Sequence, residues 1–193
     1  MKSIKFASAI ALAAGVLVMG NAQAQAQAAN GGTIRITGAV TDATCTITGG
    51  AGTDGGTSNV TVALDPVAAT SLTAAGNTAN HKPFSLIIGG PGQGSCVDGK
   101  VARLSFNVAS PRVDAATGTL TNALVGQAGN TNIQMTNGTA AGVINLASPA
   151  NGVDSPAIAD NTATINLGAQ YYATGAATPG LVDTSVQYGV TYN

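Results

Sequence analysis

The sequence predicts an all-β protein of the antiparallel β-sandwich class. Seven or eight short segments alternate apolar and polar residues with a period of two, which is typical of strands that bury one face. Residues that favour turns separate these segments, and the sequence has no apolar repeat of helical period longer than a turn or two. Short antiparallel strands at regular spacing favour two packed sheets.

The predicted strands follow the first cysteine in order. They cover residues 59–67, 81–88, 101–108, 130–136, 142–146, 162–173 and 182–192. Residues 48–58 are predicted to form a loop, 68–80 a connection with a short helical turn, and 137–138 an Asn-Gly turn. The last strand has the clearest pattern, because apolar or β-branched side chains recur at every second position.

The first 28 residues have the features of an export signal. Lys2 and Lys5 precede an apolar run, residues 10–19, that is too short to span a membrane. Overlapping small-x-small sites predict cleavage after Ala24, Ala26 or Ala28. We therefore expect a mature chain that is exported from the cytoplasm.

A further strand-like segment, residues 30–40, lies between the signal and the first cysteine. Gly32, Ile34, Ile36 and Gly38 point to one of its faces. It has no partner strand in the adjacent sequence. Two fates are open to it: it is the first strand of its own sheet, or it adds to a sheet of another molecule.

Charge and cysteine content exclude several functions. The chain without its signal has five basic residues, eight aspartates and no glutamate, a net charge of −3. Nucleic-acid binding is not expected, because no basic surface is available. Cys45 and Cys96 are predicted to form one disulfide in an oxidising compartment. A reactive thiol or a metal site is disfavoured, because His81 is the only histidine.

Candidate catalytic groups are few. A nucleophile needs a base beside it, and His81 is expected to be exposed at a strand entrance. The aspartates occur in turn-like or strand-end contexts, and no glutamate can act as a general acid. The glycine-rich segment 89–94 lacks the helix and the Lys-Ser/Thr pair of a phosphate-binding loop. We predict a protein that is not an enzyme and that needs no cofactor or metal.

Six segments share the pattern of one protein family: residues 31–40 (GGTIRITGAV), 42–47 (DATCTI), 83–88 (PFSLII), 132–135 (NIQM), 169–175 (AQYYATG) and 188–193 (YGVTYN), which includes a penultimate tyrosine. They resemble the major pilins of chaperone-usher (type 1) fimbriae. The likeness covers nearly the whole mature chain. It implies an incomplete immunoglobulin-like antiparallel β-sandwich that lacks its seventh strand and is completed by a donor strand.

The resemblance also implies domain boundaries and partners. Residues 1–28 would be the signal peptide, 29–38 the N-terminal donor-strand extension and 39–193 the pilin domain. A periplasmic chaperone would lend a strand to the groove, and at an outer-membrane usher the extension of the next subunit would replace it. The product would be a head-to-tail polymer of this or related pilins, an extracellular fimbria on the cell surface that supports cell adhesion.

Site residues follow from the same resemblance. The donor residues would be Gly32, Ile34, Ile36 and Gly38, with Asn30 standing where an apolar side chain is expected at the outermost pocket. The final strand beside the acceptor groove, which also binds the chaperone, would carry Val182, Val186, Tyr188, Val190 and Tyr192.

Two other functions stay open at this stage. The first is a minor or adhesive fimbrial subunit that binds a host receptor or glycan. Tip adhesins of this system usually carry an additional N-terminal domain in place of the extension, and the absence of tryptophan weakens a sugar-stacking surface. The second is a secreted enzyme on a sandwich scaffold, which the scarcity of catalytic groups disfavours.

Overall fold

The computed structural model describes residues 44–193. The predicted signal peptide and the predicted donor-strand extension lie outside the described residues. Within 44–193 the strands are β1 (Ile47–Gly49), β2 (Thr78–Gly89), β3 (Val101–Phe106), β4 (Leu120–Thr121), β5 (Thr131–Thr136), β6 (Val153–Ala157), β7 (Thr162–Ala173) and β8 (Tyr188–Tyr192). A single 3-10 turn, Ala69–Ser71, matches the short helical turn predicted there. No helix in this part of the chain is long and apolar enough to cross a membrane.

The strands form two antiparallel sheets. The larger sheet has the order β1-β2-β7-β5-β4, and the smaller has the order β6-β3-β8. The long strands β2 and β7 form the centre of the larger sheet, with Phe84 opposite Leu167 and Ile88 opposite Ala163. The predicted all-β antiparallel class is therefore confirmed.

Alternating side chains of the two sheets meet in one buried core. The larger sheet contributes Phe84, Leu86, Ile88, Ile133, Met135, Ala163, Ile165, Leu167 and Ala169 to it, and the smaller sheet contributes Ala102, Leu104, Phe106 and Val153. Complete burial of a large aliphatic side chain stabilises a fold by about 1.5 to 3 kcal/mol. The period-two pattern of β2, β3 and β7 correctly predicted which of their side chains face inward.

Some local predictions are wrong. Residues 142–146 do not form a strand; a single bridge joins Thr136 to Val143, while Ile144 and Leu146 are buried from a loop. The short strands β1, β4 and β6 were not predicted, and β1 takes up residues 48 and 49 of the predicted loop 48–58. The sequence of β6 contains a proline and an outward aspartate, and both weaken a strand signal. His81 is half-buried within β2 and lies 2.9 Å from the Thr136 hydroxyl, so it is not an exposed turn residue.

Two further predicted strands have an unexpected form. Residues 59–67 and 182–187 belong to no strand of either sheet. They nevertheless keep the predicted alternation, because Val60, Val62 and Leu64 are half-buried while their neighbours are exposed. Residues 181–187 alternate in the same way. Both segments thus present side chains to the core, yet neither is paired like a strand.

Candidate functional site: a groove between two unpaired segments

The two unpaired segments flank an open cavity of about 640 Å³ between the sheets, which we call the groove. Residues 58–64 line one side, the first wall, and residues 182–188 line the other, the second wall. The floor is apolar and consists of Phe84, Leu86, Leu104, Phe106, Leu120, Ile133, Met135, Leu167, Ala169 and Tyr171. Among the described residues 44–193, Asp183 is the only charged one that lines the groove.

The two walls run in opposite directions, and one end of the groove is closed. The Tyr188 hydroxyl donates a hydrogen bond of 2.6 Å to the Ser58 carbonyl, which joins the end of the second wall to the start of the first. Both walls line the same cavity and continue away from this contact. Leu64 and Val182 therefore lie toward the other, open end.

Backbone hydrogen bonding along the first wall alternates between residues. The Thr61 amide and carbonyl both bond to Asp54, and the Ala63 carbonyl accepts a bond of 2.6 Å from the Lys82 ammonium group. Within residues 44–193, the backbone groups of Val60, Val62 and Leu64 have no such partner.

The second wall follows the same rule. Two of its odd-numbered residues bond outward: the Asp183 carbonyl accepts from the Ala123 amide at 2.7 Å, and the Gln187 carbonyl accepts from the Asn107 amide at 2.9 Å. Between them, Ser185 makes no hydrogen bond within residues 44–193. In the described part of the chain, the backbone amide and carbonyl groups of Val182, Thr184 and Val186 have no hydrogen-bond partner, although the Thr184 hydroxyl donates to the Thr121 carbonyl at 2.9 Å.

This alternation determines what the groove can bind. Successive residues of an extended chain direct their amide and carbonyl groups to opposite edges. Because Thr61 and Ala63 on one wall and Asp183 and Gln187 on the other bond away from the groove, the free groups of the even-numbered residues point into it from both sides. An extended chain placed between the walls would pair with both edges and cover the apolar floor, as in β-strand addition.

No group of three metal-ligating side chains occurs among residues 44–193.

Comparison with known proteins identifies relatives along most of the chain. The sequence is 34% identical over 177 residues to the F17 fimbrial protein of Escherichia coli, a match that covers 91% of this chain and 94% of the relative. It is 35% identical to the major fimbrial subunit SMF-1 of Stenotrophomonas maltophilia, over 84% of this chain and 92% of that one. This chain belongs to the fimbrial subunit family. No protein-family model matches the sequence.

The fold agrees with this assignment. A solved structure of a chaperone-usher pilus superposes with a TM-score of 0.53 and 16% identity, and the match covers 86% of this chain and 97% of the other. The fimbrial subunit thus has the incomplete immunoglobulin-like sandwich that the sequence predicted. Its family places it in a pilus on the cell surface, assembled with other pilins.

The predicted site residues of the fimbrial subunit fall into two groups. Val182, Val186 and Tyr188 line the groove. Val190 and Tyr192 are not among the residues that line it; they continue β8 beyond Tyr188 and pair with Leu104 and Ala102 of β3. The predicted final strand is therefore divided into a groove wall and a sheet strand.

Sequence reasoning missed the first wall as part of the site. Val60, Val62 and Leu64 were assigned to an ordinary strand, although they border the groove as closely as the second wall does. Their strict alternation was the available signal. The predicted donor residues Gly32, Ile34, Ile36 and Gly38 lie outside the described residues.

The predicted disulfide between Cys45 and Cys96 is present, with an S–S distance of 2.05 Å. It fastens the segment before β1 to the connection between β2 and β3. The Tyr192 hydroxyl donates to the Cys45 carbonyl at 3.4 Å, so β8 also contacts this segment. Gly89 beside the disulfide has φ of 75°, and a Cβ there would collide with the Asn161 carbonyl and the Cys96 sulfur.

Tyrosines of the fimbrial subunit predict a loss of stability at alkaline pH. Burial raises the pKa of Tyr188 and Tyr192 above the ordinary value of 10.0. The folded domain therefore keeps these protons to higher pH than the unfolded chain, and the stabilisation is lost as the pH rises through the folded-state values. We expect the free energy of unfolding, measured in urea, to fall between about pH 9 and pH 11. The free energy of unfolding of variant Y188F/Y192F should fall less over that pH interval than that of the unsubstituted protein. An equal fall in the two proteins would show that these tyrosines do not cause the loss of stability.

Proposed function

We propose that this fimbrial subunit builds the rod of an extracellular fimbria and polymerises by donor-strand exchange. In this proposal, the extension 29–38 of one copy enters the groove of the preceding copy. The observation that carries the proposal is the pair of facing backbone edges, on Val60, Val62 and Leu64 and on Val182, Thr184 and Val186, above an apolar floor. A single added strand satisfies both edges and completes the sandwich.

The extension has the chemistry that the groove requires. Ile34 and Ile36 share one face, and burial of each contributes about 1.5 to 3 kcal/mol. Gly32 and Gly38 on the same face suit shallow parts of the floor, where the backbone approaches closely. Arg35, the only charged residue of the extension, lies on the opposite face with Thr33 and Thr37.

The open groove is also the argument for assembly partners. Before polymerisation, it leaves apolar surface and unpaired backbone groups accessible, which favours aggregation. We propose that a periplasmic chaperone covers the second wall, residues 182–188, after export. An outer-membrane usher then directs the replacement of the chaperone strand by the next subunit's extension.

The expected product is a filament, and the role is structural rather than enzymatic. An extension on one copy and a groove on the next form a heterologous contact, which repeats without closing when its geometry is not cyclic. A donor-like extension favours a rod subunit over an adhesive tip subunit. Cell adhesion then depends on the fibre that these subunits support.

A fibre assay tests this proposal. The mature chain should form filaments visible by electron microscopy, whereas deletion of residues 29–38 should abolish them, because nothing then fills the neighbouring groove. Variant I34N/I36N should assemble poorly, since it places amides on the apolar floor. Variant T33N/T37N, which changes the opposite face, is the matched control and should assemble normally. Normal fibres from the deletion variant would refute donor-strand exchange through this segment.

A further inference from the structure

Three exposed apolar side chains lie beside the second wall, next to its Val182 end. Leu124, Val125 and Leu181 form this group, which we call the mouth patch. Val125 is 98% exposed and Leu181 is 68% exposed. The loop that carries the first two, residues 122–128, contains no charged residue. Within residues 44–193, Val125 is left almost uncovered and Leu181 mostly so, while Leu124 is 37% exposed.

The loop is fastened to the groove wall. The Asn122 side-chain NH₂ group donates a hydrogen bond of 2.9 Å to the Leu181 carbonyl. The Asn122 side-chain oxygen accepts a hydrogen bond of 3.0 Å from the Asp183 amide. The Ala123 amide donates a hydrogen bond of 2.7 Å to the Asp183 carbonyl. A Cβ on Gly180 would collide with the Ala128 backbone, so the two segments are in direct contact. The mouth patch is therefore an extension of the second wall.

The position of the patch determines what it meets in a fibre, provided that the proposed donor-strand exchange operates. The bond between Tyr188 and Ser58 crosses the closed end of the groove. An inserted strand that stays attached to a folded domain must therefore leave through the open end. That end is where Val182 and the mouth patch lie.

Chain length keeps the donating domain close to this exit. Only five residues separate Gly38, the last predicted donor residue, from Thr44, so the two Cα atoms can be at most about 20 Å apart. Thr44 lies against the turn 89–95 of its own domain. The Thr44 amide donates a hydrogen bond of 2.8 Å to the Ser95 carbonyl, and the Thr44 carbonyl accepts one of 3.2 Å from the Gln93 side chain. The turn 89–95 thus belongs to the surface of the donating domain that lies nearest to the start of its extension, and we expect it to lie close to the groove into which that extension is inserted.

We propose that the mouth patch of one copy packs against the turn 89–95 of the copy that donates its strand. The occupant of the patch is thus a second copy of this chain. Both surfaces are uncharged, so their contact desolvates no ionised group. The contact lies outside the groove and restrains the angle between successive domains of the fibre.

Photo-crosslinking in fibres of the full mature chain tests this contact. A benzoylphenylalanine replaces Val125 in one variant and Val143, which is 53% exposed, in the control. After irradiation, mass spectrometry identifies the captured peptide. We expect position 125 to capture residues 89–95 of another copy, with a yield several-fold above that from position 143. Fibres in which position 125 captures another segment, or nothing, would overturn the contact.

A second variant separates this inference from the proposed function. V125D should weaken head-to-tail association about tenfold, because the contact loses a buried valine and gains a charge. V143D should assemble as the unsubstituted chain does. Equal fibre yields from V125D and V143D would refute the mouth contact alone. Absence of fibres from the unsubstituted chain would refute donor-strand assembly, and the mouth contact with it.

Discussion

Removal of the disulfide is expected to lower the free energy of unfolding by about 4 kcal/mol, because Cys45 and Cys96 close a loop of 51 positions in the unfolded chain. Domains of this size are typically stable by only about 5 to 15 kcal/mol, so the variant C45S/C96S should lose a large part of its stability. Urea unfolding at neutral pH measures the difference. The cross-link also fastens Thr44, where the extension leaves the domain.

Reduction of the unsubstituted protein provides the matched control. Treatment with a thiol reductant should lower its urea midpoint toward that of C45S/C96S, while the variant itself should not respond. A variant within about 1 kcal/mol of the oxidised protein would show that packing around the Cys45 segment, rather than the cross-link, holds the chain there.

Filling the groove is expected to stabilise the domain by a comparable amount. A peptide covering residues 28–40 should raise the unfolding temperature of residues 39–193 by at least about 10 °C. The reason is that burial of the Ile34 and Ile36 side chains together contributes about 3 to 6 kcal/mol of stabilising free energy. Backbone hydrogen bonds to Val62 on one wall and Thr184 on the other should add to this gain. Thermal unfolding followed by circular dichroism measures it.

Peptide variants show which face is inserted. A peptide with I34N/I36N should give little stabilisation, because it places polar amides against Leu167 and the rest of the apolar floor. A peptide with T33N/T37N keeps the inserted face and should stabilise almost as well as the original. If the two variants behave alike, the alternating register assigned to the extension is wrong.

The alternation of apolar residues predicted side-chain burial better than backbone pairing. In β7 the pattern from Ala163 to Ala169 coincided with a strand, because neighbouring strands were available on both sides. In residues 59–67 and 182–187 the same pattern predicted inward side chains correctly, yet no sheet contains these segments. Periodicity reports the side of the chain that is buried, and it carries no information about a missing neighbour.

Parts of the site depended on tertiary structure that no local pattern specifies. The division of the last predicted strand at Tyr188 arises because β3 pairs with β8 only as far as Phe106. The mouth patch joins residues 124–125 to Leu181, which are far apart in sequence and are brought together by hydrogen bonds of Asn122. Neither feature has a sequence signature of its own.

The open groove is tested most directly by thermal unfolding of residues 39–193 titrated with the peptide 28–40. The groove described here predicts a transition temperature that rises with peptide concentration, as expected for a ligand that binds only the folded state. It also predicts that the I34N/I36N peptide leaves the transition unchanged. A domain whose transition does not move at saturating peptide would show that the groove does not accept this strand, and would contradict donor-strand exchange.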